Sequence, residues 1–327
     1  MEQDLVDILV TTYNTNKKYL TEQLNSLINQ TYKNIKIYIS DDKSTNRSVL
    51  KTVEEYEKKD NRIVVFEQNK NLGYNKNFEF LLKQSTAPYI MFCDHDDIWY
   101  RDKVEISLQK MKQECVDMVY CNARQVDENR ETLNENYFKY KNVPIINGKN
   151  NEIALTRCIG IGCSQMITKD VKKKMLPFTK KVIAHDWLAG FIANQGKGIA
   201  CIEEVLFDYR LHNSNVFGGR SLDQNLNRWK EENGHSYKSF LKYRKDVIDR
   251  AYLNGAEMCL EYSKIDKEDK YLKRVIKYYM KLEKSRFFNI HLLKYFEFLA
   301  GKNLEKKMLK EIAIFHFPII AYLRFRF

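Results

Sequence analysis

Apolar residues along the first hundred positions follow two alternating rhythms. Leu5 to Thr12 is a mostly apolar run, the pattern of a largely buried strand. Leu20, Leu24, Leu27 and Ile28 then recur at i, i+4, i+7 and i+8, which marks one face of a helix. Ile35 to Ile39 predicts a second strand, Val49, Val53 and Tyr56 a second helix, and Ile63 to Phe66 a third strand. Phe78, Leu81 and Leu82 mark a third helix, and Tyr89 to Phe92 a fourth strand. Strands alternating with helices build βαβ units. The fold class is therefore α/β, a mostly parallel sheet with helices on both faces. Ligands of such sheets bind beyond the carboxyl ends of the strands. Thr12-Tyr13-Asn14, Asp41-Asp42 and Asp94-His95-Asp96 all fall at those ends.

Beyond Trp99 the rhythm changes. A helix over about 102–114 leads to a strand from Asp117 to Asn122. The polar stretch from Asp127 to Asn151 reads as a mobile loop. Ile159-Gly160-Ile161-Gly162-Cys163-Ser164 follows, with the wrong spacing for a dinucleotide-binding GxGxxG. A helix from His185 to Asn194 precedes strands at Ile199–Ile202 and Val205–Leu211. From Leu222 onward the pattern is helical and amphipathic, rich in Lys and Tyr.

The charge divides the chain. Residues 216–327 hold 24 Lys and Arg against 14 Asp and Glu, and the preceding 215 hold 31 against 29, so +10 of the net +12 lies in the last third. Such a region suits an anionic surface. The chain ends on an apolar stretch, Ile312 to Phe327, flanked by Lys306, Lys307, Lys310, Arg324 and Arg326. It is too short, and broken by Pro318, to span a bilayer. It suits either a membrane interface or a last helix docked on the core. The seven cysteines show no CxxC or Cys/His zinc spacing, which predicts reduced thiols in a cytosolic protein. The acidic start, Met1-Glu2-Gln3-Asp4, runs directly into a strand, unlike an ordinary signal peptide.

The most informative segment is Cys93-Asp94-His95-Asp96-Asp97-Ile98-Trp99. Three carboxylates in four positions repel one another, and burying them uncompensated is costly. Either they face water or they hold a cation. Mg²⁺ and Mn²⁺ take carboxylate oxygens, and Mg²⁺ is commonly shared with substrate phosphates. The alternative is a cluster that caps the helix beginning near Asp102.

Together these residues resemble the inverting family 2 glycosyltransferases of GT-A (Rossmann-like) fold. The resemblance rests on Val6 to Asn14, Gln30-Thr31-Tyr32, Ile39 to Thr45, Asn71-Leu72-Gly73 and Cys93 to Trp99. Asp94 to Trp99 followed by Asp102-Lys103 is similar to the rhamnosyltransferase-like branch. Gly162-Cys163, His185-Asp186-Trp187 and Tyr209-Arg210-Leu211-His212-Asn213 continue the match. It covers about residues 4–218. It implies a GT-A domain over 1–218, with a nucleotide-binding half at about 1–98 and an acceptor and catalytic half at 99–218. Residues 219–327 form a basic helical C-terminal region outside it.

The resemblance also implies roles. Asp96 holds the metal, Mn²⁺ or Mg²⁺. Asp94 stands nearer the ribose or the metal's waters, and Asp97 is equally a helix-side carboxylate. Thr11, Tyr13 and Asp42, with Asp41 next, grip the pyrimidine, whose N3–H suits a carboxylate. Asp41 alternatively caps the turn after its strand. Lys76 lies against the nucleotide or is an exposed helix lysine. Asp186 is the general base that takes the acceptor's proton, or a helix N-terminal residue. His185 replaces the Glu often found before this Asp. His212 reaches back to the metal or the diphosphate, and Arg210 pairs with phosphate or with a core carboxylate.

The expected function is metal-dependent, inverting transfer of a sugar from a UDP- or dTDP-sugar, with dTDP-L-rhamnose the favoured donor. The acceptor is a hydroxyl of a lipid-linked surface glycan or of a surface or flagellar protein. The expected location is cytoplasmic, peripheral on the inner membrane face through the C-terminal region. A nucleotidyltransferase would carry a Gly-rich basic loop after strand one, and Thr12-Tyr13-Asn14-Thr15-Asn16 is not that. Nucleic acid is not an expected partner, because the C-terminal lysines are interleaved with acids.

Overall fold

The computed structural model describes residues 3–212 and, beyond them, Trp229, Glu231, Glu232, Gly234, 236–248 and 254–262. The expectations for the rest of 213–327, including Ile312 to Phe327, lie outside the described residues. The chain divides into two compact units, Met1–Ala154 with Cys158–Ser214, and Leu155–Arg157 with Asn215–Phe327. In the second unit the helices Tyr237–Ile248 and Asn254–Tyr262 are described, with Phe240, Tyr243, Met258 and Cys259 buried.

In the first unit the chain runs β1 (Val6–Thr12), α1 (Lys17–Ile28), β2 (Ile35–Asp41), α2 (Arg47–Lys59), β3 (Ile63–Glu67), α3 (Tyr74–Gln84) and β4 (Tyr89–Cys93). This follows the predicted alternation. Val6, Ile8, Leu9 and Val10 are fully buried, as are Leu20, Leu24 and Leu27 of α1. Asn16 and Asn46 cap α1 and α2, each accepting from the backbone N–H two residues on. Strands β3, β2, β1 and β4 lie side by side and parallel.

The second half adds β5 (Ile98–Trp99), α4 (Lys103–Glu114), β6 (Met118–Val126), β7 (Thr132–Asn134), α5 (Tyr137–Lys141) and α6 (Asn151–Thr156). A 3₁₀ turn (Gly162–Ser164), β8 (Gln165–Thr168), α7 (Lys169–Met175), α8 (His185–Gln195) and β9 (Ile199–Arg210) follow. Among the described residues nine strands form one sheet. Strands β4 and β6 each run antiparallel to β8, and β9 runs parallel to β6. So β3, β2, β1, β4, β6 and β9 all point one way, and the sheet is mostly parallel.

Three sequence expectations change here. The stretch from Asp127 to Asn151 is not bare loop. It holds β7, paired with β6, and α5, whose Tyr137 and Phe138 are buried. Asn122 of β6 anchors it, accepting from the Phe138 N–H at 3.0 Å and donating to Asn136 Oδ1 at 3.0 Å. The two strands at 199–211 are one, β9. Exposed Glu203 and Glu204 interrupt its apolar pattern where its register with β6 shifts. Strand β8 and helix α7 were not predicted. With only four residues, β8 is a strand because β4 and β6 flank it.

No helix among the described residues is long and apolar enough to cross a membrane.

Candidate active site

The topology gathers scattered residues onto one edge. The carboxyl ends of β1, β2, β4 and β9 deliver Thr11 to Asn14, Asp41-Asp42, Asp94 and Arg210 to His212. Because β8 runs the opposite way, its amino end brings Gly162 to Ser164 to the same edge. The amino end of β5 does the same for Asp96 and Asp97.

At the β1–β2 end the polar side chains hold one another. Asp41 is fully buried and accepts from Thr12 Oγ1 (2.9 Å), the Ser44 N–H (2.8 Å) and Ser44 Oγ (2.6 Å). It takes the turn-capping alternative. Asp42 accepts from the backbone N–H groups of Leu72 (2.7 Å) and Gly73 (2.9 Å), and so staples β2 to the start of α3. Gly73 has φ +79, a conformation that favours glycine. Thr11 is half-buried and Tyr13 is 46% exposed at this edge. Lys76 is exposed but occupied: it pairs with Glu79 at 2.6 Å and donates to the Phe178 carbonyl at 3.1 Å.

The acid triplet separates into three environments. Asp96 is buried, with Oδ2 at 2.8 Å from His212 Nε2 and Oδ1 at 3.8 Å from His95 Nδ1. Burial pushes its carboxyl up, but the two histidines outweigh burial and hold it below the ordinary carboxylate range. Asp94, half-buried, is raised to about 7, first by burial and then by Asp96. Asp97 is fully buried and raised well above its ordinary value by burial, with Asp96 and Asp94 adding to it. Its Oδ1 accepts from the Arg210 N–H at 3.1 Å, and the Cys163 thiol lies against the carboxyl.

The donor chemistry decides which of these groups fit a hard divalent cation. Asp94, Asp97 and Cys163 have ligand atoms within 4.8 Å of one another. Burial raises the Cys163 thiol and the Asp97 carboxyl, and a soft thiol suits a hard divalent cation poorly. Asp96, held as a carboxylate, with Asp94 beside it and His212 against it, fits better.

Arg210 takes its carboxylate alternative. Its side chain is fully buried. Nε donates to the Asp96 carbonyl at 2.8 Å, Nη1 donates to the Glu128 carbonyl at 3.1 Å, and Nη2 pairs with Glu22. The guanidinium carbon lies 4.3 Å from the centroid of the Tyr19 ring. A carboxylate is its partner, and it holds the backbone of Asp96.

Asp186 lies in the first turn of α8, half-buried, with Oδ1 accepting from the Trp187 N–H at 2.8 Å. The segment leading into it is fastened to α3. Tyr74 Oη and Asn75 Nδ2 each donate to the Ile183 carbonyl at 2.8 Å, and Asn75 Oδ1 accepts from the His185 N–H at 3.0 Å. Burial and the nearby Asp186 raise the Tyr74 phenol to about 12. His185 is 6% exposed, in a box of Phe78, Phe92 and Tyr74 with ring centroids 4.1, 4.7 and 6.2 Å away. Burial lowers its pKa, so the ring is neutral.

Sequence reasoning missed Glu22 as the partner of Arg210, and it met Lys103 and Gly162 only as parts of motifs. Lys103 is fully buried and donates to the Cys163 carbonyl at 2.6 Å. A lysine in the helix face that carries Val104 and Leu108 looks solvated in sequence; nothing local marks it as internal.

Residues 7–176 match the profile of Glycosyl transferase family 2. An uncharacterized glycosyltransferase of Methanocaldococcus jannaschii is 28% identical over 262 residues, 77% of this chain and 84% of that protein. The UDP-Glc:alpha-D-GlcNAc-diphosphoundecaprenol beta-1,3-glucosyltransferase WfgD of Escherichia coli is 27% identical over 218 residues, 66% of this chain and 81% of that one. In fold, the chain is similar to S. aureus TarS 1–349, solved in complex with UDP-GlcNAc. The TM-score is 0.57 at 18% identity, over 95% of this chain and 80% of that one.

Proposed function

The chain belongs to glycosyl transferase family 2, enzymes that use nucleotide-sugar donors, and on that premise we propose that it is a metal-dependent, inverting glycosyltransferase. One observation carries the reading: Asp94 stands within electrostatic reach both of Asp96, which pairs with His212, and of a further carboxylate, Asp186, in the first turn of α8.

Asp96, Asp94 and His212 are the residues that would hold Mn²⁺ or Mg²⁺. Such an ion, when bound, offsets the negative charge that grows as the diphosphate leaves. Thr11, Tyr13 and the Asp42 turn line the place of the pyrimidine. Asp186 takes the proton of the acceptor hydroxyl as that oxygen attacks the anomeric carbon from the side opposite the diphosphate, which inverts the configuration. The backbone around it is held from two sides: Asn75 of α3 accepts from the His185 N–H and Gln165 of β8 donates to the Asp186 carbonyl, and fixed placement is what such a base needs.

The donor is a UDP- or dTDP-sugar, with UDP-glucose and dTDP-L-rhamnose the first to test. The acceptor is a lipid-linked glycan of the cell surface. The sequence similarity to the Escherichia coli enzyme, whose acceptor is a diphosphoundecaprenol-linked sugar, supports this. So does the +10 charge of residues 216–327, since each Lys or Arg near an anionic membrane contributes about 1 kcal/mol. The enzyme then works peripherally at the inner membrane face.

The test is a pair of variants. Asp96→Asn should abolish metal-dependent binding of UDP or dTDP with the fold intact. Asp186→Asn should keep that binding within about threefold while kcat falls roughly 10²–10⁴-fold, the usual share of a general base. Near-normal kcat in Asp186→Asn, or unchanged nucleotide affinity in Asp96→Asn by calorimetry, overturns the corresponding assignment.

A further inference from the structure

A wholly buried ammonium is costly unless charge and hydrogen bonds compensate it. Lys103 has that compensation. Its Nζ lies 3.8 Å from the Trp99 ring centroid and 4.0 Å from that of Phe207, and ring faces attract cations. Asp94 is within its electrostatic reach, and its one short hydrogen bond goes to the Cys163 carbonyl. A methionine would fill the same aromatic slot without the desolvation cost. What the ammonium adds is a donor aimed at one carbonyl.

That carbonyl belongs to the segment from Cys158 to Ser164, which touches both halves of the site. On the donor side, the Cys163 thiol lies against Asp94 and Asp97. On the acceptor side, Gly162 packs on the start of α8. A Cβ there would stand 2.9 Å from His185 Nε2 and 3.6 Å from Asp186 Cβ. The Cys158 thiol lies beside the Asp186 carboxylate. Gln165 Nε2 ties the two together, donating to the Ile159 carbonyl at 2.9 Å and to the Asp186 carbonyl at 3.1 Å. The segment's shape depends on Gly160, whose φ is +74 and whose Cβ would meet Ser164 Oγ at 2.8 Å.

We propose that Lys103 is a positioning residue for sugar transfer: by gripping the Cys163 carbonyl it sets the 158–164 turn, and through it the distance between the strand-end acids and Asp186. This rests on the assignment of Asp186 as the base. It also gives Ile159-Gly160-Ile161-Gly162-Cys163 a role as a spacer between two reacting groups, and not as a phosphate loop.

The experiment is a double-mutant cycle on the full chain, with metal-dependent UDP binding, donor KM and kcat measured for each variant. Lys103→Met keeps the aliphatic stem but removes the donor. Its kcat should fall by about 10²-fold, the scale of a misplacement near 1 Å, while UDP affinity and donor KM stay within about threefold. In an Asp186→Asn background the same substitution should cost less than about threefold more, because both changes act on one step. A loss that repeats in full in that background marks a merely structural role and overturns the proposal. So does near-normal kcat in Lys103→Met. Should Lys103→Met fail to fold, Gly162→Ala is the second probe. It should lower kcat with UDP affinity retained, and unchanged kcat there overturns the proposal. Full turnover by Asp186→Asn alone overturns the base assignment and this proposal with it. The expected loss in Asp186→Asn beside an unaffected Lys103→Met overturns the proposal alone.

Discussion

Replacing Arg210 by methionine should unfold the protein more readily before it does anything specific to the nucleotide. The guanidinium is fully buried, and its partner Glu22 keeps a side-chain exposure of 25%. Removing one member of a buried ion pair costs about 3–5 kcal/mol when the other is left dry. Partial hydration of Glu22 puts the ionic part near the lower end. The carbonyls of Asp96 and Glu128 also lose their donors, at about 1 kcal/mol each. Methionine retains packing against Tyr19 and recovers part of that. The net expectation is a loss of about 3–4 kcal/mol, or roughly 6–16 °C in Tm for a domain of this size. Urea unfolding of the two proteins, read as a shift of midpoint at constant slope, measures it. UDP affinity, measured well below the lowered Tm, should fall as well, because the Asp96 backbone is then unsupported. A variant that melts within about 1 kcal/mol of the parent and loses only nucleotide binding would refute the reasoning and return Arg210 to the phosphates.

Two further expectations follow the same logic. Asp42→Ala strips the Leu72 N–H of its acceptor, leaves the Gly73 N–H to the Asn71 side chain at 3.2 Å, and should destabilise by about 2 kcal/mol. Hydrogen exchange at those two amides should quicken most, and unchanged protection there would show that Asp42 serves only a ligand. Burial and Asp96 raise Asp94 to about 7, so this carboxyl is ionised above that pH and progressively protonated below it. Metal-dependent UDP binding should therefore weaken as pH falls from 8 to 6, approaching tenfold per unit below 7. For the ligand-free protein the sign is opposite. The native state keeps a proton that the unfolded chain releases from about pH 4, so this group's contribution to stability falls as pH rises from about 4 to 7. Calorimetry and melting curves over that range check both, and a flat binding profile would contradict the raised Asp94.

The half of the fold from β1 to β4 was legible because its information is local. A strand buried on both faces is a continuous apolar run, a helix packed on it shows a period of 3.6, and the polar clusters at the strand ends declare the binding edge. Asp94 to Asp97 stand out as unusual residue types at a strand's end, whereas Asp186 is marked only by the family resemblance. Strand β8 was not legible. Gln165-Met166-Ile167-Thr168 is a strand only because β4 and β6 present hydrogen-bonding edges to it. Nor was α5, whose apolar pair Tyr137-Phe138 is buried against β6 inside a polar stretch.

The sequence alone determined the class of fold and, through its motifs, the family, and it named a set of candidate site residues. Which partners each member of that set has was decided by tertiary structure. Asp41 and Asp42 are adjacent and chemically identical, yet one caps a turn and the other staples a helix. Arg210, open in sequence to a phosphate or a core carboxylate, and Lys103, which looks solvated there, are both internal. The reason is physical. A charged group's role is set by the partners and the water around it. Those partners lie from 60 residues away, for Lys103 and Cys163, to 188, for Arg210 and Glu22. No local pattern carries that information, because only the folded sheet brings these segments to one edge.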